Sequence, residues 1–141
     1  MATRPFTHII NARGTFTPLG VSRSSARVAS AASNALTRFY IMEELETAVN
    51  QELSNWSGAE AGTVVNCTAA SITLAVAAVL CGTDSKLIAD LPDLRPGTPS
   101  RVVIPAAHVV NYGHSILQAV RMSGASPLIV NTADTDALSH A

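Results

Sequence analysis

Three residues, Asn66, Cys67 and Thr68, stand between a run of β-formers, Thr63-Val64-Val65, and an Ala/Leu/Val-rich run over residues 69–80. The pattern reads as strand, tight turn, helix, with Gly82 placed to end the helix. A helix that starts directly after a strand turns its first free N–H groups, and the positive end of its dipole, toward the intervening loop. Such a turn suits an anion, and phosphate is the first candidate. Two plainer readings compete. Every parallel sheet contains crossover helices whose starts hold no ligand. Residues 61–83 carry no charge and approach the length of a membrane span, yet Asn66, Cys67, Thr68, Ser71 and Thr73 interrupt the apolar run, and no membrane is expected as a partner.

The other reactive side chains carry less. A helix amino terminus favours a thiolate, but no base stands beside Cys67 in sequence, and a small residue filling a tight turn explains it as well. His8, His108, His114 and His140 lack the spacing of a zinc motif, so no metal is expected. No Gly-x-Ser-x-Gly elbow occurs. Glu43, Glu44, Glu46 and Glu52 fall largely off the apolar face of one amphipathic segment and read as a solvated surface rather than an acid/base site.

The elements that position the central turn follow from periodicity and breakers. Residues 9–20 form an extended arm punctuated by Gly14, Pro18 and Gly20. Residues 22–36 read as a helix with a thin stripe of Ala29, Ala32 and Leu36. Residues 40–53 read as the clearest amphipathic helix, with Met42, Leu45, Val49 and Leu53 on one face and residues 55–58 ending it. Residues 83–100, with Pro92, Pro96 and Pro99, form a surface excursion holding at most one helical turn. Arg101 to Pro105 is a short buried strand, 106–114 the loop at its carboxyl end, 115–123 a helix closed by Gly124, and 127–130 a third strand. Strands alternating with helices argue a parallel α/β sheet, whose ligand sites lie at the carboxyl ends of strands. The turn at 66–68 and the loop 108–114 both occupy such ends.

Composition sets the bounds. The 141 residues suit one domain, and 48% hydrophobic residues suffice for a core, but only 13% are charged. So little charge suits a piece whose faces are covered by further protein. A net charge of −1 without any Lys/Arg block leaves no footprint for nucleic acid. Two cysteines make no secreted disulfide framework, and the first residues lack the apolar core of a signal peptide, so a cytoplasmic location is expected.

Several motifs in order then identify a relationship: Ile10-Asn11-Ala12-x-Gly14-Thr15 with Leu19-Gly20, Met42-Glu43-Glu44-Leu45, Gly58-Ala59-Glu60-Ala61, the run into Ala69-Ala70, His108-Val109-Val110-Asn111-Tyr112-Gly113, and Ser123-Gly124-Ala125. Across nearly its whole length the chain resembles the amino-terminal part of the selenocysteine synthase (L-seryl-tRNA selenium transferase)-like family of pyridoxal-phosphate enzymes. Within it, the similarity is greatest to the branch that includes D-glucosaminate-6-phosphate ammonia-lyase. No basic patch supports transfer-RNA binding.

The resemblance implies an aspartate-aminotransferase-like α/β fold, fold type I. Residues 1–57 would supply an arm and helices with dimer contacts, and 58–141 the first part of the cofactor-binding large domain, incomplete at 141 residues. It implies that Cys67, Thr68 and Ala69, with Asn66 adjoining, hold the phosphate of pyridoxal phosphate. It also implies that His108, or alternatively Tyr112, stacks on the pyridine ring. Residues 13–15 and 42–45 would approach the active site across a dimer interface. The family's Schiff-base lysine and its pyridine-pairing aspartate come later than this chain extends, and the one lysine present, Lys86, does not match that position. In the fold type the first strand lies apart from the next two, with later strands between, so residues 63–66 would not pair with 102–104. The expected function is therefore the amino-terminal portion of a lyase or transferase, favouring β-elimination on an amino acid or amino sugar, without a catalytic residue of its own. A companion chain or homo-oligomer would complete it. The alternative is a non-catalytic partner or regulatory module that keeps the dimer surface.

Overall fold

The structure, a computed structural model, describes residues 6–111 and 113–131. It divides into two compact units, one running to Gly62 and the other beginning at Thr63.

In the first unit the arm is ordered by local bonds. The Asn11 side chain accepts from the Arg13 amide at 2.9 Å and donates to the Gly14 carbonyl at 2.7 Å, and the Arg13 guanidinium lies 4.7 Å from the centre of the Phe16 ring. A 3-10 turn, Thr17–Leu19, ends at Gly20, and Phe16 and Val21 exchange backbone hydrogen bonds of 3.1 and 3.0 Å across it. Helix α1, Ala26–Ala35, starts where the Ser25 hydroxyl accepts from the Val28 amide. Among the described residues its apolar stripe is left open: no α1 residue is buried, and Leu36 beyond it is 88% exposed. Helix α2, Met42–Ser57, runs a turn beyond the expected end and stops at Gly58, whose left-handed backbone (φ 72°) lets its amide donate to the Ser54 carbonyl. Of its apolar face, Val49 and Leu53 are half-buried while Met42 and Leu45 remain exposed. The Asn50 side chain accepts from the Gly62 amide at 3.0 Å and holds the returning chain so close to Leu53 that a Cβ at Gly62 would lie 2.6 Å from the Leu53 Cβ.

In the second unit, residues 63–65 belong to no strand, which corrects the sequence expectation. The triplet has β-forming side chains but, among the described residues, no neighbouring strand to complete a ladder, and Val64 is 71% exposed. Helix α3, Thr68–Cys81, ends at Gly82 as expected. Helix α4, Ser85–Asp90, exceeds the single turn anticipated because Asp84 caps it, its carboxylate accepting from the amides of Lys86 and Leu87. Strand β1, Arg101–Pro105, then helix α5, Ile116–Arg121, then strand β2, Ser126–Val130, form a β-α-β unit whose strands pair in parallel, Arg101 opposite Ser126 through Pro105 opposite Val130. The Ser115 hydroxyl caps α5.

The core is small. Among the described residues the buried apolar side chains are Cys81, Ala119, Val120, Ala125 and Val130. Ser123, fully buried, satisfies its hydroxyl on the Val120 carbonyl at 2.7 Å. Helix α3 is apolar on nearly every side, the composition of a helix enclosed by protein. Its Val79 is nevertheless 87% exposed.

Candidate functional site

The central turn is built as an open helix start. Cys67 takes the N-cap position of α3 in extended conformation (φ −162°, ψ 164°) and offers no side-chain cap. Its carbonyl accepts the Ser71 amide at 3.0 Å, which begins the helical ladder, and the Ser71 hydroxyl turns back onto the same carbonyl at 3.4 Å. The amides of the first turn are thus left without a capping side chain, and no acidic residue sits in that turn to neutralise the dipole. Asn66, Cys67, Thr68 and Ala69 are all exposed. The Asn66 and Thr68 side chains make no hydrogen bond among the described residues. Small side chains at 67–70 let a ligand reach the backbone, so a phosphate group fits the donors present.

A part-buried side chain ties this helix to α5. The Thr73 hydroxyl donates to the Ala119 carbonyl of α5 at 2.8 Å and lies 3.1 Å from the Ala69 carbonyl one turn earlier in α3. In the sequence Thr73 stands only as an interruption of an apolar run, and no local pattern marks its partner Ala119, 46 residues away.

His108 enters from a separate element. It closes the 3-10 turn Ala106–His108, which follows β1 directly, so the residue stands at the carboxyl end of a strand as expected. Its ring is exposed and makes no hydrogen bond among the described residues. The Val110 amide donates to the His108 carbonyl at 2.9 Å, and the loop rejoins the helix layer where the Ile116 amide donates to the Val110 carbonyl at 3.1 Å. Tyr112, the alternative stacking residue, lies outside the described residues, as does His140.

Lys86 is on α4, past the carboxyl end of α3. The 14 residues of α3, at the usual rise, put about 20 Å of helix between the turn at Cys67 and the end from which α4 begins. Cys81, the second thiol, is buried at that far end, while Cys67 is exposed. No cluster of metal-ligating side chains occurs among the described residues, and no described helix is long and apolar enough to cross a membrane.

Comparison with known proteins places this geometry in context. No protein-family profile matches the chain. It is 34% identical over 116 residues to D-glucosaminate-6-phosphate ammonia lyase of Salmonella typhimurium, a match covering 82% of this chain and 31% of the relative. It is 33% identical over 135 residues to 5'-C-glycyluridine monooxygenase-decarboxylase of a Streptomyces species, covering 94% of this chain and 33% of the relative. A solved structure of D-glucosaminate-6-phosphate ammonia-lyase superposes with a TM-score of 0.82 at 32% identity, covering 89% of this chain and 34% of that one. The chain spans about a third of the length of the curated relatives it matches. It is a D-glucosaminate-6-phosphate ammonia-lyase-like relative, in agreement with the resemblance read from its motifs.

Proposed function

We propose, from that kinship, that the chain is the amino-terminal portion of a pyridoxal-phosphate-dependent lyase or transferase of fold type I, and that its own part in the chemistry is to hold and orient the cofactor. The observation that carries this reading is the bare amino terminus of α3, which lies within a chain similar to an ammonia lyase over most of its length. In this reading the backbone amides at Cys67, Thr68 and Ala69 receive the phosphate, with the Asn66 side chain adjoining. The imidazole of His108 lies flat on the ring. Pyridoxal phosphate, when bound, supplies an electron sink for a carbanion at the α-carbon of an amino acid or amino sugar, the chemistry of β-elimination or replacement.

No catalytic residue is assigned within this chain. The amine that would attach the cofactor belongs, in this reading, to polypeptide beyond it, because Lys86 sits past the far end of α3 from the turn. A companion chain or a homo-oligomer would complete the fold, with residues 1–57 giving dimer contacts through α1 and α2, and 58–141 opening the cofactor domain. Nucleic acid and membrane are not proposed as partners. A cytoplasmic location fits the free thiols Cys67 and Cys81. The position of Lys86 also favours a second reading, a non-catalytic partner or regulatory module derived from this fold.

Borohydride reduction of the chain with pyridoxal phosphate, followed by peptide mapping, tests the assignment. The expected result is cofactor that washes away and no stoichiometrically labelled peptide. A stoichiometric adduct on Lys86 with a visible absorbance band overturns it.

A further inference from the structure

The first 42 residues contain five arginines, Arg4, Arg13, Arg23, Arg27 and Arg38, and neither aspartate nor glutamate; the first carboxylate side chain is that of Glu43. The net charge of −1 for the whole chain conceals this asymmetry. Arg4 lies outside the described residues. Of the other four, Arg13 alone is held in place. Its guanidinium lies 4.7 Å from the centre of the Phe16 ring, and Phe16 is half-buried and exchanges two backbone hydrogen bonds with Val21. A ring holds a guanidinium by its charge and leaves the N–H groups of the planar fork free to pair. Arg13 is exposed, and its fork has no acceptor among the described residues.

Further donors stand next to it in the chain. The Asn11 side chain takes the Arg13 amide and the Gly14 carbonyl, while the Gly14 and Thr15 amides and the Thr15 hydroxyl have no acceptor among the described residues. Gly14 has a left-handed backbone (φ 75°), and a Cβ added there would meet nothing within 4 Å, so a ligand can approach these amides. The backbone behind them is enforced. Val21 is the one described residue other than glycine with a positive φ, 68°. A β-branched residue keeps that conformation only where its surroundings over-determine it, and here the two bonds to Phe16, the residue under the guanidinium, do so.

We infer that residues 11–21 form a preformed receptor for a phosphate monoester group of the substrate. The Arg13 fork and the donors of Gly14 and Thr15 bind the phosphate oxygens, and Phe16 positions the fork. Planar bidentate pairing suits both phosphate and carboxylate. Charge decides between them, because a stretch with five positive side chains and no negative one attracts a dianion about twice as strongly as a monoanion. Assigning the group to the substrate rests on the proposed function, in which the cofactor's phosphate is held at the start of α3; binding of a phosphate monoester at Arg13 does not.

The test titrates the 141-residue chain with glycerol 3-phosphate, glycerate and glycerol while the Arg13 Nε–H and the Gly14 and Thr15 amide resonances are followed. Glycerol 3-phosphate is expected to shift all three saturably, glycerate to need roughly tenfold more ligand, and glycerol to shift none. Arg13→Gln should weaken glycerol 3-phosphate binding about tenfold or more, the change for losing a charged hydrogen bond. Arg13→Lys, which keeps the charge without the fork, should fall between it and the unaltered chain. Arg27→Gln removes the same charge from α1 and should change binding less than about twofold, as screening of a distant exposed charge requires. Equal losses in Arg13→Gln and Arg27→Gln, or an equal response to glycerate and glycerol 3-phosphate, overturn the inference, since a diffuse field would then explain the binding. Pyridoxal phosphate acting on Arg13 at lower concentration than glycerol 3-phosphate gives the phosphate to the cofactor and overturns it too. Shifts at Thr68 with none at Arg13 overturn this inference and leave the cofactor reading standing, so the two failures are told apart.

Discussion

The Thr73 hydroxyl donates to the Ala119 carbonyl at 2.8 Å, and this side chain joins α3 to α5. The site is only as well placed as that junction, because the turn at Cys67 has no side-chain cap of its own and takes its direction from the helix behind it. Thr73→Val keeps the branched shape and removes the donor, leaving a part-buried carbonyl unpaired. The expected loss is about 1–3 kcal/mol, read as a lower denaturant midpoint, with Thr73→Ser retaining most of the stability.

Thr68 gives a prediction with two signs. Thr68→Asp places a negative charge in the first turn of α3, where none stands now. The charge is favourable to the helix dipole by about 0.3–1 kcal/mol, so the midpoint of thermal unfolding should rise. The same charge occupies the anion niche, so binding of inorganic phosphate or pyridoxal phosphate should be lost. Raised stability with unchanged phosphate binding would mean that the anion sits elsewhere.

Gly124 turns the chain between α5 and β2 in left-handed conformation (φ 85°), and a Cβ built there would collide with the Pro92 carbonyl oxygen and stand 3.0 Å from Leu94 Cγ. The excursion after α4 is thus packed against backbone that only glycine permits. Gly124→Ala should cost about 1–3 kcal/mol in equilibrium unfolding, since neither the backbone carbonyl nor the required φ can yield cheaply.

Much of this architecture is legible in the sequence where local chemistry decides it. The residues of β1 are flanked by prolines and rich in valine, and the strand occupies the expected Arg101–Pro105; α3 differs from its expected span by one residue at each end because Gly82 stops it. Thr63-Val64-Val65 misled for the opposite reason: β-propensity describes a fit to neighbouring strands, and this triplet has none within the described chain. The Asp84 cap was present in the sequence but was masked by the prolines that follow it. At the site, the open helix start was readable from the order strand-forming triplet, polar turn, apolar helix. Thr73 was not, because its partner Ala119 is 46 residues away in sequence and only the packing of α5 on α3 brings them together.

The central claim, that the amides after Cys67 hold the cofactor's phosphate, is tested most directly by following backbone amide resonances while pyridoxal phosphate, pyridoxal and inorganic phosphate are titrated in turn. The account predicts saturable shifts at Thr68, Ala69 and Ala70 with pyridoxal phosphate and with inorganic phosphate, and none there with pyridoxal. Shifts that pyridoxal reproduces, or a turn that stays silent while pyridoxal phosphate binds elsewhere on the chain, would contradict it.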